Sequence, residues 1–446
     1  MRQLALVGAA LLLLTLAGLA LHQPGDLGVG TPERKDLFVA LLAVAASLYL
    51  YAASLVWRRT LPARGVWLVL GVAATVRLCV LFAPPILSTD IFRYVWDGRV
   101  QAAGINPYLY VPSDPALAAL RDDDVYPRIN RIDSARTIYA PTAELMFAAI
   151  GRIAPGVLAT KAAMVGFEAL AVLCLLRLLA MARLPASRVL IYAWNPLVIW
   201  AFAGNGHVDA VAIGLLALAM LLRARGRDGV AGAVFAACVL VKFLPFVVAP
   251  ALWRGRWRIA VAAALATVAL YSCYLGAGRH ILGFLPDYPA DEGLDTGGGV
   301  WLLAGLAHLT HSPVFPPKLY LALCALGLAG LGLAILRTRR PSLGSPGDVT
   351  TLAGQAAALM AAVTVAISPH YPWYFCWLAL PCVLRPSRAL LWLGVSPVLL
   401  YLNPFDETFF WPSLVYGPAL LLLVLDTVRP RLPTGRPAPS ASEGSY

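Results

Sequence analysis

The sequence predicts an all-α polytopic membrane protein of about twelve transmembrane helices, with one re-entrant hairpin and a long first extracytoplasmic loop that carries amphipathic helices. Three observations carry this. The 446 residues are 60% hydrophobic and 13% charged, with a mean hydropathy of +0.75, far above that of a soluble domain. Apolar runs of bilayer-crossing length recur along the chain. Arginines gather in short stretches between those runs, so the net charge of +12 reports membrane topology and not affinity for nucleic acid.

The first span, residues 4–21, follows Arg2, and Leu21-His-Gln-Pro24 lacks the small residues of a signal-peptide cleavage site. Spans at 36–57 and 65–83 flank Trp57-Arg-Arg-Thr-Leu-Pro-Ala-Arg64, whose arginines belong inside, so the third span delivers Asp90 outside. Residues 85–157 form the largest outer loop, which includes Asp122-Asp-Asp124. Spans at 158–182, 187–203 and 208–222 place the basic loops 183–188 and 223–227 inside. A single crossing at 229–253 would separate Arg223, Arg225 and Arg227 from Arg254, Arg256 and Arg258 across the membrane. A re-entrant hairpin turning near Lys242-Phe-Leu-Pro245 keeps them on one face. Spans at 257–276, 317–336, 350–367, 371–384, 388–403 and 412–428 complete the set, with 277–316 as the second outer loop. Residues 1–428 thus read as one integral-membrane domain with both termini cytoplasmic, and the Pro/Ser-rich segment 429–446 as a disordered tail.

After Pro84-Pro85 the spacing changes. Asp90, Arg93, Tyr94, Asp97 and Gln101 fall at i, i+3, i+4, i+7 and i+11, opposite Ile91, Phe92, Val95, Trp96 and Val100. This predicts an amphipathic helix capped by Ser88 or Thr89 and closed by Gly104 and Pro107. On this topology, four further polar clusters share its outer face: Thr137-Ile-Tyr-Ala-Pro141, Gly204-Asn-Gly-His-Val-Asp209, Ser368-Pro-His-Tyr-Pro-Trp-Tyr374 and Asn403-Pro-Phe-Asp-Glu407. Taken singly, Asn205, His207 and Asp209 fit an Asx-capped turn, and Trp373 with Tyr374 fit an interfacial aromatic belt. Their common face favours a site. Within the apolar spans Arg77, Glu168 and Lys242 each need a partner, because an unpaired charge near the bilayer centre costs about 2.5 to 3.5 kcal/mol. An Arg77–Glu168 pair answers two of them. The seven cysteines sit in or at the ends of apolar segments without CxxC spacing and read as small core residues.

The motifs Ser88-Thr-Asp-Ile-Phe-Arg-Tyr94, Gly104-Ile-Asn-Pro-Tyr108, Thr137-Ile-Tyr-Ala-Pro141, Trp194-Asn-Pro196, Gly204-Asn-Gly-His-Val-Asp209, Lys242 with Pro245, and Pro369-His-Tyr-Pro-Trp-Tyr374 together resemble the bacterial polytopic glycosyltransferases of the glycosyltransferase C superfamily. Within it they are most similar to polyprenyl-phosphate-mannose-dependent mannosyltransferases, distant relatives of the first mannosyltransferase of GPI-anchor assembly. The resemblance implies a donor hexose, mannose above all, on a polyprenyl phosphate, a lipid or glycan acceptor, and inverting transfer at the extracytoplasmic face of the cytoplasmic membrane. Asp90 matches the family's general base. Arg93, Tyr94, Asp97, Asn205, His207, Asp209, Lys242, His370, Tyr371 and Trp373 are then the expected substrate-binding residues. A divalent metal stays open, although Asp90 and Asp97 stand seven apart and form no compact Asp-x-Asp pair. The rival readings are a secondary transporter or flippase, which would favour matched halves with a midplane site, and an assembly scaffold, which would need no convergence of Asp90, His207 and His370.

Overall fold

The computed structural model describes residues 1–22, 31–312, 315–339, 341–403 and 409–428. Among them the regular elements are all helical. Asp406, Glu407 and the tail 429–446 lie outside the described residues.

The chain opens with three helices long and apolar enough to cross a bilayer: α1 (Arg2–Ala20), α2 (Pro32–Arg58) and α3 (Ala63–Leu81). Thr31 caps α2 by accepting the Arg34 N–H, with Pro32 in the first turn where its missing donor costs nothing. The insert 85–157 carries α4 (Asp90–Ala102) and α5 (Pro141–Ile153), and α6 (Val157–Met181) is the fourth long apolar helix. Shorter pieces follow: α7 (Leu190–Ala193), α8 (Pro196–Ile199), α9 (Asp209–Ala224), α10 (Asp228–Val239), α11 (Ala249–Trp253), α12 (Trp257–Ser272), α13 (Tyr288–Asp291) and α14 (Trp301–Thr310). The fifth and sixth long apolar helices are α15 (Pro317–Arg337) and α16 (Pro346–Ile367), before α17 (Ala379–Leu384), α18 (Arg388–Leu393) and α19 (Phe410–Val428). Leu13, Trp67, Phe82, Leu265 and Leu326 remain exposed, an apolar exterior suited to hydrocarbon and not to water.

Several expected spans are built differently from plain helices. The stretches 187–203 and 208–222 join across a break, with a bend of 115° between Pro196–Gly204 and Asp209–Ala224. A π-helical turn at Trp200–Gly204 and the glycines on either side of Asn205 account for it. Residues 371–384 and 388–403 begin or end as 3-10 turns, Pro372–Leu378 and Ser396–Tyr401, where proline interrupts the α-helical ladder.

The buried charges have partners. Arg77 donates from Nη2 and Nε to Glu168 Oε1 at 2.6 and 3.0 Å, and from Nη1 to the Ala193 carbonyl at 2.8 Å. This locks α3 to α6 and to the short α7. Asp228 pairs with Arg256 at the two ends of the 228–256 segment, while Lys242 between them reaches Asp209 at the start of α9. The far end of α9 carries Arg223, held by Asp348. Residues 228–256 therefore run along α9 and return, and the 16 residues of α9 set that excursion at about 24 Å.

The polar face of α4 is not an outer surface. Arg93, Asp97 and Gln101 are buried against α5 and the segment before it. Gln101 Nε2 donates to Glu144 Oε2 at 2.8 Å, Thr137 Oγ1 to Glu144 Oε1 at 2.6 Å, and Tyr274 OH to Gln101 Oε1 at 2.8 Å. The helices approach this closely because Gly98 and Gly151 face each other: a Cβ on Gly98 would stand 2.4 Å from the Phe147 carbonyl oxygen.

Removing one member of the Arg77–Glu168 pair leaves a buried charge uncompensated, at a cost of about 3 to 5 kcal/mol. Glu168→Leu is expected to lower the thermal unfolding midpoint in detergent sharply, and Arg77→Met in the same chain to recover most of the loss. A double variant as unstable as the single one would show that the pair does not hold α3 to α6.

Candidate active site

The site is assembled from the broken helix outward. Asn205 Oδ1 accepts the backbone N–H groups of Ile86 and Leu87 at 3.0 and 2.7 Å, and Asn205 Nδ2 donates to the Trp200 carbonyl at 2.7 Å. One side chain thus pins the loop after α3 to the break in the next bundle. Gly206 follows at φ +72°, and a Cβ there would lie 2.3 Å from Ile91 Cδ1, so only glycine lets α4 rest on this turn. His207 and Asp209 are then presented to the first turn of α4, where Ser88 Oγ accepts the Asp90 N–H at 3.2 Å.

Asp90 keeps 21% of its side-chain surface open. Its Oδ1 accepts from Asn130 Nδ2 at 3.0 Å, and its Oδ2 lies 3.6 Å from His207 Nδ1. Burial raises the Asp90 carboxyl from the ordinary 3.8 to about 6, against the pull of the nearby Lys242 ammonium and with the neighbouring Asp209 adding to the rise. Lys242 does not pair with Asp90. Its Nζ donates to both Asp209 oxygens at 2.9 and 3.1 Å and sits 3.8 Å from the centre of the Tyr374 ring, whose hydroxyl meets that of Tyr288 at 2.9 Å.

These groups border a cavity of about 1180 Å³. Among the described residues, Lys35, Arg128, Arg131, Arg136, Lys161 and Lys242 line it against the acids Asp90 and Glu292, so its field favours anions. Phe82, Leu158, Phe243 and Leu244 add apolar wall to the cavity. Lys161 is wholly buried and donates to the carbonyls of Val80 and Ala83 at 2.8 and 2.6 Å, a cation held at the C-terminal end of α3. Among the described residues no three His, Cys, Asp or Glu side chains come together as metal ligands do.

Of the residues singled out from sequence, Asp90, Arg93, Lys242, Tyr371 and Trp373 line the cavity. His207 and Asp209 stand directly behind that lining. Tyr94 stacks on Phe147 with ring centres 4.8 Å apart, Asp97 is committed to Arg93 at 2.9 Å, and Asn205 to the backbone groups above. His370 Nε2 meets the Gly299 carbonyl at 3.0 Å, which fastens the 277–316 stretch over the aromatic segment. Arg131 closes the same seam through Asp291 and Glu292. Asn130, Arg131, Tyr288 and Glu292 were not foreseen, since no periodicity marks them in their loops. Lys161 had a signal, a cation in the apolar run that also holds Glu168.

Apolar helices around a large chamber edged with cations define an integral-membrane protein with an internal site. A family model described as alpha-(1->6)-mannopyranosyltransferase, N-terminal domain (the MptA_B family), matches residues 4–255, more than half of the chain, and the chain belongs to this family. It is a glycosyltransferase whose family transfers mannose, which sets aside the transporter and scaffold readings. No curated protein and no solved structure matches the chain.

Proposed function

We propose that the protein transfers a mannosyl group, with inversion, from a polyprenyl-phosphate donor to a hydroxyl of a lipid or glycan acceptor at the extracytoplasmic face of the bacterial cytoplasmic membrane. The observation that carries this is the placement of Asp90: an acid at the edge of a large cation-lined cavity, held at about 6 and left unpaired by the nearest cation. A base with a proton affinity near the working pH removes a hydroxyl proton effectively. The acceptor oxygen forms its bond to the anomeric carbon from the face opposite the phosphate. The bond from that carbon to the phosphate oxygen breaks with its electron pair, and the acceptor's proton passes to Asp90. The leaving phosphate needs no protein acid, only positive charge around it, which the cavity's lysines and arginines supply. The family description names an α-(1→6) bond, so the attacking group is read as a primary hydroxyl. Tyr371 and Lys242 border the substrates, while Arg93, Tyr94, Asp97 and Asn205 hold the frame.

Asp90→Asn preserves shape and removes the proton acceptor, and transfer is expected to fall by about 10²- to 10⁴-fold in a folded protein. In the wild type, kcat/KM should be level above pH 7 and decline through a midpoint near 6 as Asp90 takes up a proton, tenfold per unit below it. Transfer of labelled mannose from synthetic polyprenyl phosphates in vesicles measures both. Near-normal turnover by Asp90→Asn would remove Asp90 from the mechanism.

The same reading places about twelve crossings and cytoplasmic termini around the chamber, with 228–256 entering and leaving on the cytoplasmic side. The Asp228–Arg256 pair at the base of that segment supports the re-entrant path. In a chain whose exposed Cys273 is replaced by serine, Ala119→Cys and Gly298→Cys should react with an impermeant maleimide in intact cells, and Gly229→Cys and Ser342→Cys only after lysis. Reaction of Gly229→Cys from outside would reverse the topology.

A further inference from the structure

We propose that His207 is a positioning residue for the base: its neutral imidazole donates Nδ1–H to Asp90 and fixes the carboxylate lone pair that receives the acceptor's proton. The inference rests on the reading of Asp90 given above and adds a role for a group that reading does not use. His207 is 0% exposed, and among the described residues neither ring nitrogen has a hydrogen-bond partner within normal range. Such a buried polar ring is costly unless it engages something. Asp90 Oδ2 stands 3.6 Å from Nδ1, slightly beyond hydrogen-bond length, and catalytic contacts that are long in a substrate-free site commonly tighten when substrate binds.

The ring is oriented by stacking. Its face lies 3.9 Å from that of Trp373 at 19°, and Tyr371 stacks on Trp373 at 4.9 Å and 18°. Trp373 is therefore fully engaged between two rings and acts as a spacer from the cavity wall to His207. This also decides which of the two titratable groups touches substrate. His207 is sealed and does not border the cavity, whereas Asp90 does, so the acceptor hydroxyl meets only the carboxylate. With Asn130 on Oδ1 and His207 on Oδ2, both carboxylate oxygens are steered by neutral donors. The charged groups facing Asp90 are Lys242 and Asp209 from the helical side and Arg131 from the outer insert, and the tyrosines around it are Tyr94, Tyr139, Tyr371, Tyr374 and Tyr401.

The test separates donor from ring. His207→Phe keeps the stack and loses the N–H; His207→Asn loses the stack and keeps an amide donor near the Nδ1 position. In vesicles with synthetic polyprenyl-phosphate mannose, His207→Phe is expected to lower kcat by about 10- to 100-fold, with KM within about twofold. Its kcat/KM midpoint should move up by about one pH unit, because the ionised carboxylate has lost a donor. His207→Asn should restore most of the rate and the midpoint. If His207→Phe does not fold, His207→Leu carries the same expectation. An unmoved midpoint in a folded Phe or Leu variant, or an Asn variant no better than Phe, overturns the proposal. A normal His207→Phe beside an inactive Asp90→Asn would refute this role alone and leave the proposed chemistry standing.

Discussion

The ion pair between Lys242 and Asp209 is the contact on which the chamber depends. It joins the tip of a returning segment to the first turn of α9, where the helix dipole already favours an acid. Everything near the chemistry is referred to that contact. The turn before Asp209 sets His207, the ammonium packs on Tyr374, and Tyr374 meets Tyr288 from the 277–316 stretch. The pair also shapes the acid that matters most. A lysine bonded directly to Asp90 would hold that carboxyl low, as a weak base. With Lys242 committed to Asp209, burial prevails over its more distant attraction and Asp90 stays near 6.

Much of the fold was legible because hydrocarbon imposes simple rules. Length and apolarity marked α1, α2, α3, α6, α15 and α16, and the need to pair buried charge foretold Arg77 with Glu168. Arginines at both ends of 229–253 pointed to a segment whose ends lie together, and Asp228 pairs with Arg256 there. The pieces at 371–403 were less legible, since hydropathy is blind to whether proline-rich apolar sequence winds as α or 3-10. The spacing marks the polar stripe of α4 but not what buries it. Its partners, Thr137 and Glu144, lie some forty residues onward, and local periodicity carries no information about them.

The candidate site divides along the same line. Sequence marks a residue as polar, and a polar residue in an apolar protein wants a partner; it does not say whether that partner is protein or ligand. Asn205 and Asp97 are spent on partners in the protein, whereas Asp90 and Tyr371 also border the cavity. Asn130 and Arg131 come from an irregular loop, where neither spacing nor composition distinguishes a side chain that reaches the chamber from one that reaches water.

The surplus of lysine and arginine around the chamber bears on the end of the catalytic cycle as much as its start. Under the proposed chemistry a phosphodiester carrying one negative charge enters, and a phosphomonoester approaching two leaves. The same cations that draw in the donor therefore grip the spent carrier lipid more firmly. Charges inside a chamber are screened by salt less than exposed ones, so under this chemistry that grip persists at physiological ionic strength. Under the same chemistry a fresh donor and the discharged carrier compete for the same charges.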